Sequence, residues 1–134
     1  MKAISMWQPW AGLVSAGWKH YETRSFDTKY RGTLLIHAAK TQKGWELIKP
    51  NLKPAIMKIG ITKDYGKLLC KVDLVRTFKT EDIINKLSSC EIQFGDYSPG
   101  RYAWQFTNLV KFKPIPYRGQ QGFFNVDDVC IKIA

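Results

Sequence analysis

Two periodicities alternate along this chain, and together they divide it into elements. Residues 2–6, KAISM, read as a short strand. In QPWAGLVSAG (8–17) the apolar residues Trp10, Leu13, Val14 and Gly17 recur at helical spacing. Pro9 falls in the first turn of that helix, where a missing N–H costs little, and Gly17 suits its C-terminal cap. KHYETRSF (19–26) is rich in residues that favour extended backbone. DTKYRG (27–32) reads as a turn and TLLIHAAK (33–40) as a buried strand. Residues 43–65 are weakly patterned, with a short helix in QKGWELI and a loop at KPNLKP (49–54) marked by its prolines. GKLLCKVDLVRTF (66–78) alternates as a strand, with Leu68, Cys70, Val72, Leu74 and Arg76 toward the core and Leu69, Lys71, Asp73 and Val75 away from it.

Thr80 is placed to cap a helix through EDIINKLSS. FGDYSPG (94–100) is a turn, and RYAWQFTNL (101–109) is a strand with Tyr102, Trp104 and Phe106 on one face. VKFKPIPY (110–117) alternates and suits a sheet edge, where proline is tolerated. RGQQG is a turn, and the tail FFNVDDVCIKIA reads as strand or helix. The total is five or six strands with two or three short helices, an α+β chain resembling a small mixed β-barrel more than a series of βαβ units.

The 134 residues suit one domain, residues 1–134, able to bury a core without disulfides. No apolar run is long enough to span a bilayer, and the N-terminus lacks the pattern of a signal peptide, so a cytoplasmic protein with no membrane partner is expected. Cys70, Cys90 and Cys130 include no C-x-x-C pair; no metal site or cofactor is expected, and each thiol reads as a small buried apolar group. Lys and Arg number 21 against 11 Asp and Glu, a net charge of +10. That excess favours a polyanion, above all nucleic acid, over a protein whose charge serves solubility alone.

Candidate chemistry concentrates in a few short segments. In GWKHYETRSF (17–26), Glu22 and Arg24 share a strand face with His20. Lys19 joins them only by entering from the turn after Gly17. The three charges then form either a solvated ladder contributing ~0–1 kcal/mol per pair or a charged cleft in which burial readies the lysine for acid–base work. Asp96, in FGDYSPGRYAW, can accept from backbone N–H groups just after it, and Pro99-Gly100 fits the centre of a type II turn. A well-made turn accounts for those residues but leaves Tyr97 and Arg101 without a reason. YRG (30–32) and YRGQQG (117–122) each pair an aromatic residue with Arg and Gly; Arg binds phosphate and Tyr stacks on bases. Trp7 and Trp10 flank Gln8-Pro9 and read as core residues, although one can line a cleft. His37 reads as a satisfied core histidine.

Taken together, ISMWQPWAGLVSAGWKHYETRSF, YRGTLLIHAAK, FGDYSPGRYAWQFTNL and PIPYRGQQGFFNV resemble the activating signal cointegrator homology (ASCH) domain of the PUA-like superfamily. The resemblance follows the family's order over nearly the whole chain, with little of it in residues 41–65 and 78–92. It implies a small barrel with a helix against its opening and a cleft carrying the K-x-x-E-x-R charges, here Lys19, Glu22 and Arg24. The family is generally regarded as nucleic-acid binding, and related domains read modified bases. A bacterial branch hydrolyses N(4)-acetylcytidine with a Lys, a Thr nucleophile and a Glu; where that branch has its Thr, this chain has Glu22.

Two functions follow as expectations. The first is a module binding RNA, another single-stranded nucleic acid, or a nucleoside or nucleotide. Arg24, Arg31, Arg101 and Arg118 are its candidate phosphate contacts, and Trp7, Tyr30 and Tyr97 its candidate stacking partners. Gln8, Asp96 and Ser98 complete the candidate polar contacts. The second is a small hydrolase, an amidohydrolase of a modified nucleoside or a ribonuclease, with Lys19 and Glu22 as its catalytic pair.

Overall fold

The computed structural model describes residues 1–61 and 63–127. Cys130 and most of the expected C-terminal element lie outside them. The elements run β1 (Lys2–Met6), α1 (Trp10–Ser15), β2 (Tyr21–Arg24), β3 (Gly32–Ala38), α2 (Gly44–Leu47), α3 (Lys53–Lys58), β4 (Lys67–Lys79), α4 (Thr80–Ile83), a 3-10 turn at Ile84–Lys86, α5 (Ser89–Gln93), β5 (Tyr102–Pro116) and β6 (Phe123–Asn125). Among the described residues the strands form one mixed sheet in the order β2-β5-β4-β3-β1-β6, in which only β1 and β3 run parallel. This is the α+β, PUA-like barrel fold, with its sheet curled into a half-barrel.

The curl has a visible cause. The pairing of β4 with β5 shifts register three times, between Leu68 and Cys70, Lys71 and Asp73, and Leu74 and Arg76. Such bulges bend a strand and increase its twist. Both faces of the bent sheet are covered. Leu34, Ile36, Leu69, Val72, Leu74, Trp104 and Phe106 pack in the main core, while Leu35, Leu68, Phe112 and Phe124 form a second cluster. The bulges also overturn strict alternation in β4. Leu69, expected to face outward, is buried, whereas Arg76, expected toward the core, is exposed and lies over the Phe78 ring. Tyr102, Trp104 and Phe106 share the core face as their spacing predicts.

β5 continues without a break through the segment expected as a separate strand. β2 pairs with β5 only from Tyr102 to Gln105, so among the described residues the remainder of β5 has β4 on one side and an open edge on the other. Pro114 and Pro116 fall on that edge, where no ladder donor is lost.

The weakly patterned middle of the chain forms α2 and α3, each anchored by a few residues. Leu52 and Ile56 pack with Leu13 and Phe94. The expected single helix after Thr80 is instead α4, the 3-10 turn and α5. Thr80 is its first helical residue, and its hydroxyl donates to the Ser98 carbonyl at 2.8 Å. The side chain that caps a helix here is Ser88, which accepts from the Glu91 N–H of α5. Cys70 is buried, and burial pushes its thiol up to about 12. Cys90, expected to be buried, is exposed on α5.

Candidate functional site

Helix α1 begins from a capping device that Gln8 supplies. Its Oε1 accepts the Gly12 N–H at 2.8 Å, and its Nε2 donates to the Asp64 carbonyl at 2.9 Å. At the other end Gly17 takes a φ of +83°, a conformation that L side chains disfavour. The N–H groups of Trp18 and Lys19 then both donate to the Leu13 carbonyl. This cap turns the chain sharply and delivers Lys19 inward just before β2 begins.

Lys19 is buried to 2% exposure. Its amine donates to the Phe94 carbonyl at 2.9 Å and lies 3.8 Å from Glu22 Oε1. Arg24 approaches the same carboxylate from the other side, its Nε 3.1 Å from Oε2. Glu22 is thus held between two cations. Burial pulls the Lys19 amine below its ordinary value of 10.5; Glu22 and Glu91 oppose that shift and Arg24 adds to it.

Arg24 also shapes the opening of the half-barrel. Its Nη2 donates to the Ser5 carbonyl at 3.1 Å, joining β2 to β1, which is not its neighbour in the sheet. The guanidinium lies 5.8 Å from the Trp104 ring, and that ring stacks on Phe123 of β6. The open end of the curl is therefore bridged by side chains.

Lys19, Glu22 and Arg24 line a cleft of about 1000 Å³. One wall is the loop and helix at Leu47, Ile48, Lys49 and Leu52. The lining also takes in Ile84, Ile92 and residues 93–99, together with Trp7 and Trp10. Trp7 is 40% exposed, whereas Trp10 packs into the core. The 94–100 turn is fixed as its residues predict. The Asp96 carboxylate accepts from the Ser98 N–H and Oγ–H, bonds that hold it below the usual carboxylate value. Arg101 donates to the carbonyls of Asp96 and Thr23. Tyr97 is buried, and among the described residues its hydroxyl has no hydrogen-bond partner. Burial chiefly, then Glu91, raises its pKa, so the phenol keeps its proton.

The profile of the ASCH domain matches residues 4–117. The chain belongs to the ASCH domain family. Its structure is similar to a crystal structure of ASCH from Zymomonas mobilis, 14% identical, with a TM-score of 0.60 over 98% of this chain and 90% of that chain. Serine-to-alanine and tyrosine-to-phenylalanine variants of the Zymomonas mobilis protein match at a TM-score of 0.59 and 14% identity, covering 98% of this chain and 91% and 93% of theirs. At that identity the likeness is one of fold. No curated protein sequence matches the chain.

In this ASCH domain the cleft gathers Lys19, Glu22 and six of the other ten candidate site residues. Arg24, Trp7, Asp96, Tyr97, Ser98 and Arg101 line it. Gln8 does not; it is the buried cap of α1. Tyr30 packs on Phe123, and its hydroxyl donates to the Thr33 carbonyl. Arg31 braces its own loop through the Thr28 and Tyr30 carbonyls and the Thr77 hydroxyl, and Arg118 is exposed on the loop after β5. None of these lines the cleft. His20 diverges from Glu22 and Arg24, since it precedes β2 and pairs with Glu91. His37 is the satisfied core histidine its setting predicts: Nε2–H donates to the Tyr117 carbonyl and Nδ1 accepts from Ser5.

Sequence reasoning missed Glu91. This buried carboxylate accepts the backbone N–H groups of His20 and Tyr21 and so docks α5 against the start of β2. The S-x-x-E spacing of Ser88 and Glu91 is the signal that marks the helix. Among the described residues no group of three or more His, Cys, Asp or Glu is placed to hold a metal ion, and no helix is long and apolar enough to cross a membrane.

Proposed function

We propose that the cleft binds single-stranded RNA by seating a nucleotide between Trp7 and the Lys19–Glu22–Arg24 cluster. The observation that carries this reading is the meeting of an exposed indole with two guanidiniums, Arg24 and Arg101, in one cleft. A guanidinium has five N–H donors, and two are engaged in each of these arginines. Donors therefore remain for phosphate oxygens, while the indole offers a stacking face. The cleft volume falls at the upper end of the ~300–1000 Å³ common for small-molecule sites. The net charge of +10 favours the same partner, and nucleic-acid binding is the property generally associated with the family. Titration of short single-stranded RNA at rising salt tests the reading. Affinity is expected to fall linearly with salt on logarithmic axes; absence of binding at low salt sinks it.

A second reading has one observation in its favour. Lys19 is buried with a lowered pKa beside a carboxylate, the setting of an amine used in proton transfer. Lys19 and Glu22 would then form the acid–base pair of a hydrolase acting on a modified nucleoside or on RNA. Incubation with N(4)-acetylcytidine and with RNA decides it: product from wild type and none from Lys19→Ala supports the reading, and equal product from both removes Lys19 from catalysis.

A further inference from the structure

Two segments that contribute to the cleft lining differ in charge. Residues 40–58, which include α2 and α3, hold five lysines against one acid, Glu46. Lys40, Lys43, Lys49, Lys53 and Lys58 are all exposed. Residues 80–98, of which Ile84 and residues 92–98 line the cleft, hold four acids (Glu81, Asp82, Asp96 and the buried Glu91) against one lysine, Lys86. The basic segment is continuous with the cleft, because Leu47, Ile48 and Lys49 are part of its lining.

We infer that single-stranded RNA leaves the cleft over the helical lobe of residues 40–58, so the ligand is a chain of several nucleotides and not a free nucleoside. This rests on the RNA reading of the cleft and adds a direction to it. A phosphate chain running from Arg24 toward Glu81 and Asp82 meets three exposed acids, Asp96, Glu81 and Asp82, against the single lysine Lys86. A chain running past Lys49 meets only cations apart from Glu46. Leu47, 67% exposed at the cleft's edge, adds apolar surface along that path. The lobe needs few of its own residues for the core, Leu52 and Ile56 chiefly. Its lysines are therefore free to neutralise phosphates without cost to the fold.

The test compares two triple variants of the full chain. Lys43→Gln with Lys53→Gln and Lys58→Gln removes lobe charges that do not line the cleft. Lys79→Gln with Lys86→Gln and Lys113→Gln removes the same charge elsewhere. Binding of a single-stranded RNA hexamer and of nucleoside monophosphates is measured over a salt series. The lobe variant should bind the hexamer about tenfold more weakly and lose about 2 from its salt slope, at ~0.7 per phosphate contact on single strands. Its affinity for monophosphates should not change, and the control variant should keep nearly all its hexamer affinity. Equal weakening by both variants overturns the path and leaves the cleft reading standing. So does a wild type that binds the hexamer no better than a monophosphate. Failure of wild type to bind either ligand overturns the cleft reading and the path with it.

Discussion

The Lys19 amine and the Glu22 carboxylate lie 3.8 Å apart, with 1% and 12% of their side chains exposed. Removing one partner of such a pair leaves the other charge without its counter-ion in a poorly solvated place, which costs more than replacing both. Glu22→Gln strands both Lys19 and Arg24 and should lower unfolding stability by ~2–4 kcal/mol. Combining it with Lys19→Met should restore at least half of that loss. Urea denaturation of the three proteins reads the result, and a double variant less stable than Glu22→Gln contradicts the pairing.

Lys19 also has a pH signature. Its folded-state pKa lies below the ordinary 10.5 because it is buried. Between those two values the unfolded chain holds a proton that the folded chain has released. Stability therefore rises with pH across that interval, by at most ~1.4 kcal/mol per pH unit. Subtracting the curve for Lys19→Met from that of wild type cancels the other titrating groups. The difference should climb as pH rises toward 10.5; a flat or falling difference contradicts a penalised ammonium.

Tyr97 separates stability from binding. Its buried hydroxyl lacks a partner among the described residues, so Tyr97→Phe removes a polar group that has lost water and gained nothing. The variant should be as stable as wild type or more so, by up to ~1–2 kcal/mol. Its RNA affinity should fall if the phenol meets the bound base, since a protonated Tyr97 can only then use its donor. A clear loss of stability in thermal melts would mean that the hydroxyl is satisfied in solution.

Gly44 fixes the basic wall to the rest of the molecule. A Cβ there would stand 2.0 Å from the Gln8 carbonyl oxygen and 2.9 Å from the Trp10 ring. Backbone cannot yield as a flexible side chain does, so Gly44→Ala should cost ~1–3 kcal/mol or more and displace α2. Thermal melts and RNA titration check this together: both Tm and affinity should fall, and an unchanged Tm contradicts the close approach.

The convergence of Lys19, Glu22 and Arg24 was legible because local rules suffice for it. A glycine cap turns the chain, and strand alternation puts residues 22 and 24 on one face. The Asp96 turn was legible for the same reason, since its carboxylate binds the N–H two residues on. What stayed hidden depends on distant partners. Tyr30 and Arg31 share the composition of ligand contacts, yet the loop spends both on its own carbonyls and on Thr77. Strict alternation puts Leu69 outward because it assumes a flat ladder, and bulges in β4 break that assumption. The apolar wall at Leu47–Leu52 carries no period, because two short helices with a handful of anchors need none.

The most direct measurement follows the five indole N–H signals by NMR as a nucleoside monophosphate is added. Trp7 and Trp18 are comparably exposed, 40% and 48%, but only Trp7 lines the cleft. Ligand in the cleft should move the Trp7 signal most and leave Trp18 and Trp45 in place. Saturating shifts at Trp18 with Trp7 unmoved, or no shift at any indole, would contradict the cleft as the nucleotide site.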